Sequence, residues 1–114
     1  MFGRREPLPE VSATEVDALL GDGAVLLDIR EPYEWEAGHA PQAVHLPMGA
    51  ITLDNLPAGR PLLVVCHVGG RSAAVTEALV KADVEAFNVA GGMASWASAG
   101  LPVVTDDGGA GQVV

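Results

Sequence analysis

Five residues that end in the only cysteine, Leu62-Leu63-Val64-Val65-Cys66, constrain this chain more than any other feature. A short, continuous apolar run bounded by turn signals suits a strand buried on both faces of a sheet. Ala24-Val25-Leu26-Leu27-Asp28-Ile29 is a second run of the same kind. Strands covered on both faces belong to parallel sheets, whose crossovers carry helices. Ala43-Val44-His45-Leu46 and Ala86-Phe87-Asn88-Val89 supply two shorter strand candidates.

The segments between them carry helical signals. Ser12-Ala13-Thr14-Glu15 matches a capping box, and Val16, Leu19 and Leu20 continue it as an apolar stripe closed by Gly21 and Gly23. Residues 72–81 are Ala-rich, with Val75, Leu79 and Val80 apolar and Lys81 in the last turn, which predicts a helix. Residues 93–99 predict a last helix after a Gly91-Gly92 turn, and residues 48–53 a short one. Residues 31–41, broken by Pro32, Gly38 and Pro41, read as a loop with room for one helical turn. Strands alternating with helices predict a single α/β domain with a mainly parallel central sheet flanked by helices on both faces. Residues 1–8 read as an extended N-terminal segment, 9–104 as the domain and 105–114 as a flexible, frayed tail.

Charge and composition exclude several functions. The 114-residue chain carries 15 acids against 6 bases, a net charge of −9. That sign repels phosphate backbones and anionic bilayer surfaces, so neither nucleic acid nor membrane is an expected partner. The apolar runs are too short to span a bilayer, and no signal peptide is visible. One cysteine allows no internal disulfide, which points to a reducing, cytoplasmic setting. His39 and His45 fit no zinc spacing, and no dinucleotide or phosphate-loop pattern is present, so neither metal nor cofactor is expected.

The chemistry is concentrated in Cys66-His67-Val68-Gly69-Gly70-Arg71-Ser72. A buried strand delivers Cys66 to its carboxyl end, where open α/β sheets place their ligands. A glycine loop follows, and a helix is expected to start at Arg71 or Ser72. Helix starts and curled loops present unpaired N–H groups, and Gly69 and Gly70 are free to take positive φ. With the Arg71 guanidinium, these donors favour thiolate over thiol, making Cys66 a nucleophile at neutral pH.

Three segments in order resemble the single-domain rhodaneses. The Cys66–Ser72 stretch resembles that family's active loop. Asp28-Ile29-Arg30, Glu34 and Gly38-His39 resemble its upstream signature, and Ala90-Gly91-Gly92-Met93-Ala94-Ser95-Trp96 with Gly100-Leu101-Pro102 its closing one. The resemblance implies a rhodanese-like fold and a sulfurtransferase. It implies that Cys66 attacks a thiosulfate-like or persulfide donor and carries the sulfur as a persulfide. His67, Val68, Gly69, Gly70, Arg71 and Ser72 would then bind the donor, with Arg71 holding its oxygens. An external thiol or cyanide, possibly presented by a protein, would remove the sulfur.

Asp28, Arg30, Glu34 and His39 are expected to support the site. Asp28 would hold backbone N–H groups, Arg30 and Glu34 would form an ion pair pinning the loop, and His39 would be a structural hydrogen-bonding residue. His67 is either a tuner of the thiolate or a partly exposed loop residue. Two other functions remain open. One is a cysteine phosphatase or arsenate reductase, although the related phosphatases use a loop one residue longer. The other is a sulfur-relay binding module, which retention of Cys66 disfavours.

Overall fold

The computed structural model describes residues 7–114, so most of the expected N-terminal segment lies outside the described residues. Among these, five strands form one sheet: β1 (Glu10–Val11), β2 (Val25–Asp28), β3 (Val44–His45), β4 (Leu62–Val65) and β5 (Ala86–Val89). Their order is β1-β5-β4-β2-β3 and every pairing is parallel. Three α-helices lie between strands, α1 (Val16–Gly21), α2 (Pro32–Ala37) and α3 (Gly70–Lys81), and α4 (Gly92–Ser98) follows β5.

Strand alternation divides the interior into two cores. Leu26, Leu63, Val65 and Val89 face α1 and α4 and pack with Val16, Met93 and Trp96. Leu27, Leu62, Val64 and Ala86 face the other way and pack with Val75 and Leu79 of α3. Leu26, Leu27 and all four β4 residues are fully buried, as an apolar run covered on both faces requires. The architecture expected from the apolar runs is therefore the one observed.

The topology also contains a switch point. From β2 the chain runs outward to β3, then crosses back to β4 on the other side of β2. At such a reversal the carboxyl ends of adjacent strands splay their connections apart, and ligands bind there. Cys66 follows β4, and Asp28 closes β2 beside it in register with Val65.

Some expectations need correction. The Glu10–Val11 strand was not anticipated; two residues are too few to show periodicity, and pairing with β5 makes them a strand. The expected helix over residues 48–53 is a single 3-10 turn, Met48–Ala50. The segment from Thr105, expected as a flexible tail, carries backbone hydrogen bonds to the domain, next to a bond made by Val104. The Val104 carbonyl accepts from the His39 N–H at 2.9 Å, and the Gln112 N–H donates to the Ala37 carbonyl at 2.8 Å. Gly38 makes this possible, because a Cβ there would collide with the Gln112 backbone. Long-range pairing of a polar, glycine-rich segment leaves no periodic trace in sequence.

Candidate active site

The site is built at the carboxyl end of β4. Cys66 is 1% exposed, and its Sγ is ringed by donors. It accepts from the Gly69 N–H at 3.1 Å, the Ser72 hydroxyl at 3.2 Å and the Ser72 N–H at 3.4 Å. The chain curls tightly enough for this because Gly69 sits at φ +106°, directly before α3. Gly70 needs no such freedom. It is the first residue of α3 with ordinary helical backbone, so only one of the two loop glycines takes positive φ, and the helix starts one or two residues earlier than expected.

These contacts decide the ionisation of Cys66. Burial is the largest single influence and pushes the thiol up; the Ser72 hydroxyl and the Ser72, Gly69 and Arg71 N–H groups together outweigh it, so the pKa lies below that of a free thiol. The start of α3, a helix of 12 residues, adds its dipole in the same sense. Around the sulfur, His67 and Arg71 are half-buried, while Val68 is 64% exposed.

Arg71 is not free. Its Nη1 and Nη2 donate to Glu34 Oε1 and Oε2 at 2.8 and 2.9 Å, a bidentate pair. The expected Arg30–Glu34 ion pair is therefore replaced by two others. Arg30, fully buried, sends Nε and Nη2 to the Asp28 carboxylate, with Nη2–Oδ2 at 2.8 Å, and Nη2 also donates to the Gly38 carbonyl at 2.9 Å. Arg30 touches Glu34 only through its main-chain oxygen, at 3.4 Å. The reason is geometric. Glu34 faces Arg71 because it is the third residue of α2, and its Oε1 also accepts from the Glu31 N–H at 2.9 Å. This is the reach-back of a capping box, and with Pro32 at the first helical position it explains why residues 32–37 form a helix.

Asp28 accepts from the Arg30 N–H at 3.0 Å as well as from its side chain. His39 packs flat on Trp35, ring centroids 3.5 Å apart, and meets the Ala40 carbonyl and Asp106 carboxylate with its two ring nitrogens. Asp106 also accepts from the Trp35 indole at 3.2 Å. Thus Glu34 joins the Cys66 loop through Arg71, while Arg30 and His39 hold the neighbouring segment without touching the sulfur.

Three positions escaped sequence reasoning. Asn88 is buried and donates to the Gly69 carbonyl at 3.4 Å and to Glu10 at 3.1 Å. Asp106 lies in a stretch that reads as tail. Gly92 lets α4 start against the site: Met93 N–H donates to the Cys66 carbonyl at 2.8 Å and Ala94 N–H to the His67 carbonyl at 3.0 Å. The doubled glycine was visible; its contact partners, Cys66 and His67 far upstream, were not.

A family model described as the rhodanese-like domain matches residues 12–99. The chain belongs to this family. A sulfurtransferase of Allochromatium vinosum is 32% identical over 104 residues, covering 87% of this chain and 97% of that protein. The thiosulfate sulfurtransferase GlpE of Pseudomonas syringae is 34% identical over 85 residues, covering 72% and 80% of the two chains. Among solved structures, a rhodanese-related protein of Thermoplasma volcanium superposes with a TM-score of 0.77 at 28% identity, over 86% of this chain and 99% of that one. The rhodanese-like domain described here thus carries its cysteine loop within the matched span.

The Glu34–Arg71 pair gives a pH prediction. The Arg71 hydrogen bonds outweigh burial and hold Glu34 down to about 2, against 4.5 for an ordinary glutamate. A depressed carboxyl stabilises the folded state above about 4.5, and that contribution disappears as pH falls from there towards 2. Arg71's side chain is 37% exposed, so screening reduces the effect to on the order of 1–2 kcal/mol. Urea midpoints at pH 7 should separate wild type from Glu34→Gln, and the separation should be clearly smaller at pH 3, partway through the loss. An equal separation at both pH values would rule out the pair as its source.

Proposed function

We propose that this rhodanese-like domain is a sulfurtransferase that moves a sulfane sulfur through a persulfide on Cys66. The supporting observation is the ring of three donors around one buried sulfur. Cys66 thiolate attacks the outer sulfur of the donor, the donor's S–S bond breaks, and the electron pair leaves with the remaining fragment. Cys66 then bears the transferred sulfur as a persulfide. The Gly69 and Ser72 N–H groups and the Ser72 hydroxyl, which hold the thiolate first, are placed to hold the negative outer sulfur next. An external thiol or cyanide attacks that sulfur and restores the thiolate. The chain has no second cysteine to do so, and turnover is ping-pong. His67, half-buried, and Val68, exposed, follow Cys66 in the loop. Arg71 acts as a brace that ties the loop to α2.

The test is chemical. Treatment with thiosulfate or a small persulfide should add one sulfur atom to the mass of the protein, and cyanide should remove it. An aryl phosphate run in parallel should give no turnover. Hydrolysis of the phosphate with no gain of sulfur would replace this reading by a cysteine phosphatase. Alkylation offers a second check. The inflection of the Cys66 alkylation rate against pH should lie below that of a free thiol, and Ser72→Ala should move it upward. An inflection in Ser72→Ala identical to wild type would remove the hydroxyl from this role.

A further inference from the structure

The charges around Cys66 say which donor the site takes. We infer that the preferred donor is an organic persulfide, R–S–S⁻, rather than the dianion thiosulfate; this rests on the sulfurtransferase reading above. Four cations lie among the described residues: Arg30, Arg60, Arg71 and Lys81. Arg30 is fully buried and bound to Asp28. Arg71, the nearest in sequence to the sulfur, has its charge matched by the bidentate Glu34 carboxylate. Lys81 ends α3, a 12-residue helix that begins at the site, which puts it roughly 16 Å along the axis. Arg60 precedes β4, at the opposite end of the strand from Cys66, and donates to the Pro57 and Gly59 carbonyls. No uncommitted cation among the described residues stands at the loop.

What remains to bind an anion is a set of amide and hydroxyl dipoles already directed at a single sulfur position. That set suits one negative charge. A sulfonate group carrying further charge would also meet the field of a chain of net charge −9. The rim has a second character. Val68, inside the loop, is 64% exposed, and Tyr33, next to Glu34, is 69% exposed. Val68 offers apolar surface to an organic R group and no donor to a sulfonate, and the Tyr33 ring adds a second apolar face. The balance of the step is Cys66–S⁻ + R–S–S⁻ → Cys66–S–S⁻ + R–S⁻. One S–S bond forms, one breaks, and the leaving thiolate takes its proton from solvent.

The experiment compares kcat/KM for cysteine persulfide and for thiosulfate with the same acceptor thiol, in wild type and in Glu34→Gln. Wild type should favour the persulfide by at least about tenfold. Glu34→Gln unmasks the Arg71 charge, and one extra unit of donor charge at a few ångströms should then shift the ratio about fivefold towards thiosulfate. Raising ionic strength on wild type should increase thiosulfate use, because screening relieves repulsion. This last measurement needs no variant and stands even if Glu34→Gln fails to fold. Equal use of the two donors by wild type, or thiosulfate use that falls with salt, overturns the inference and leaves the sulfurtransferase reading intact. Failure of both donors to load Cys66 overturns the sulfurtransferase reading itself.

Discussion

Cys66→Ala should lower sulfur transfer by roughly 10³-fold or more while the domain remains folded. No other thiol exists in the chain to take over the sulfur, so residual transfer can come only from binding effects. The variant also deprives the Gly69 N–H, the Ser72 N–H and the Ser72 hydroxyl of their acceptor. Buried donors left unpaired cost about 1–3 kcal/mol, so a lower melting temperature should accompany the lost activity. Cys66→Ser separates the two effects. It keeps a hydrogen-bond acceptor in the ring and should recover most of the stability, yet remain as inactive as alanine. Steady-state transfer to cyanide, read beside thermal melts, checks both. Activity within tenfold of wild type in Cys66→Ser would end the persulfide mechanism.

Gly92→Ala should be the most destabilising single methyl in the site, with an expected loss of about 3–5 kcal/mol. Gly92 sits at φ +60°, where a side chain is strained. An added Cβ would press into the carbonyl oxygens of Cys66 and His67, which are backbone atoms and cannot swing aside. Those oxygens accept from Met93 and Ala94, so the methyl would push the start of α4 off the peptides of Cys66 and His67. Activity should fall with stability. Gly70→Ala is the control: nothing lies within 4 Å of its added Cβ and its φ is ordinary, so its melting temperature should stay close to wild type. Denaturant unfolding of the two variants measures the difference, and equal midpoints would show that the helix start yields more easily than its geometry indicates.

The two predictions mark how far sequence reading reaches at this site. Cys66 was legible because three local signals coincide there: a run of apolar residues, a glycine loop and the first turn of a helix. Ser72 followed from the same spacing, six residues on. The function of Gly92 was not legible, since its constraint is set by carbonyls brought to it by the parallel register of β4 and β5. The same limit applied to ion pairs. Arg30 and Glu34 are four residues apart and invite pairing, but the pairs observed are Arg30–Asp28 and Glu34–Arg71, the second spanning 37 residues. Charges at short spacing are always candidates; which of them meet depends on the direction in which the backbone points each side chain.

Local order was therefore in the chain from the start. Apolar runs with both faces hidden dictate a parallel sheet, and the position of the cysteine at the end of one run dictates which edge carries chemistry. Tertiary structure alone decided the electrostatics. It brought Glu34 from α2 onto Arg71 and so turned the one cation of the loop from an anion binder into a brace. It also folded residues 103–112 back against Ala37 and His39. The physical reason is range: burial and helix propensity act over a few neighbours and leave a periodic record, whereas ion pairs and backbone closures join residues that only the completed fold makes adjacent.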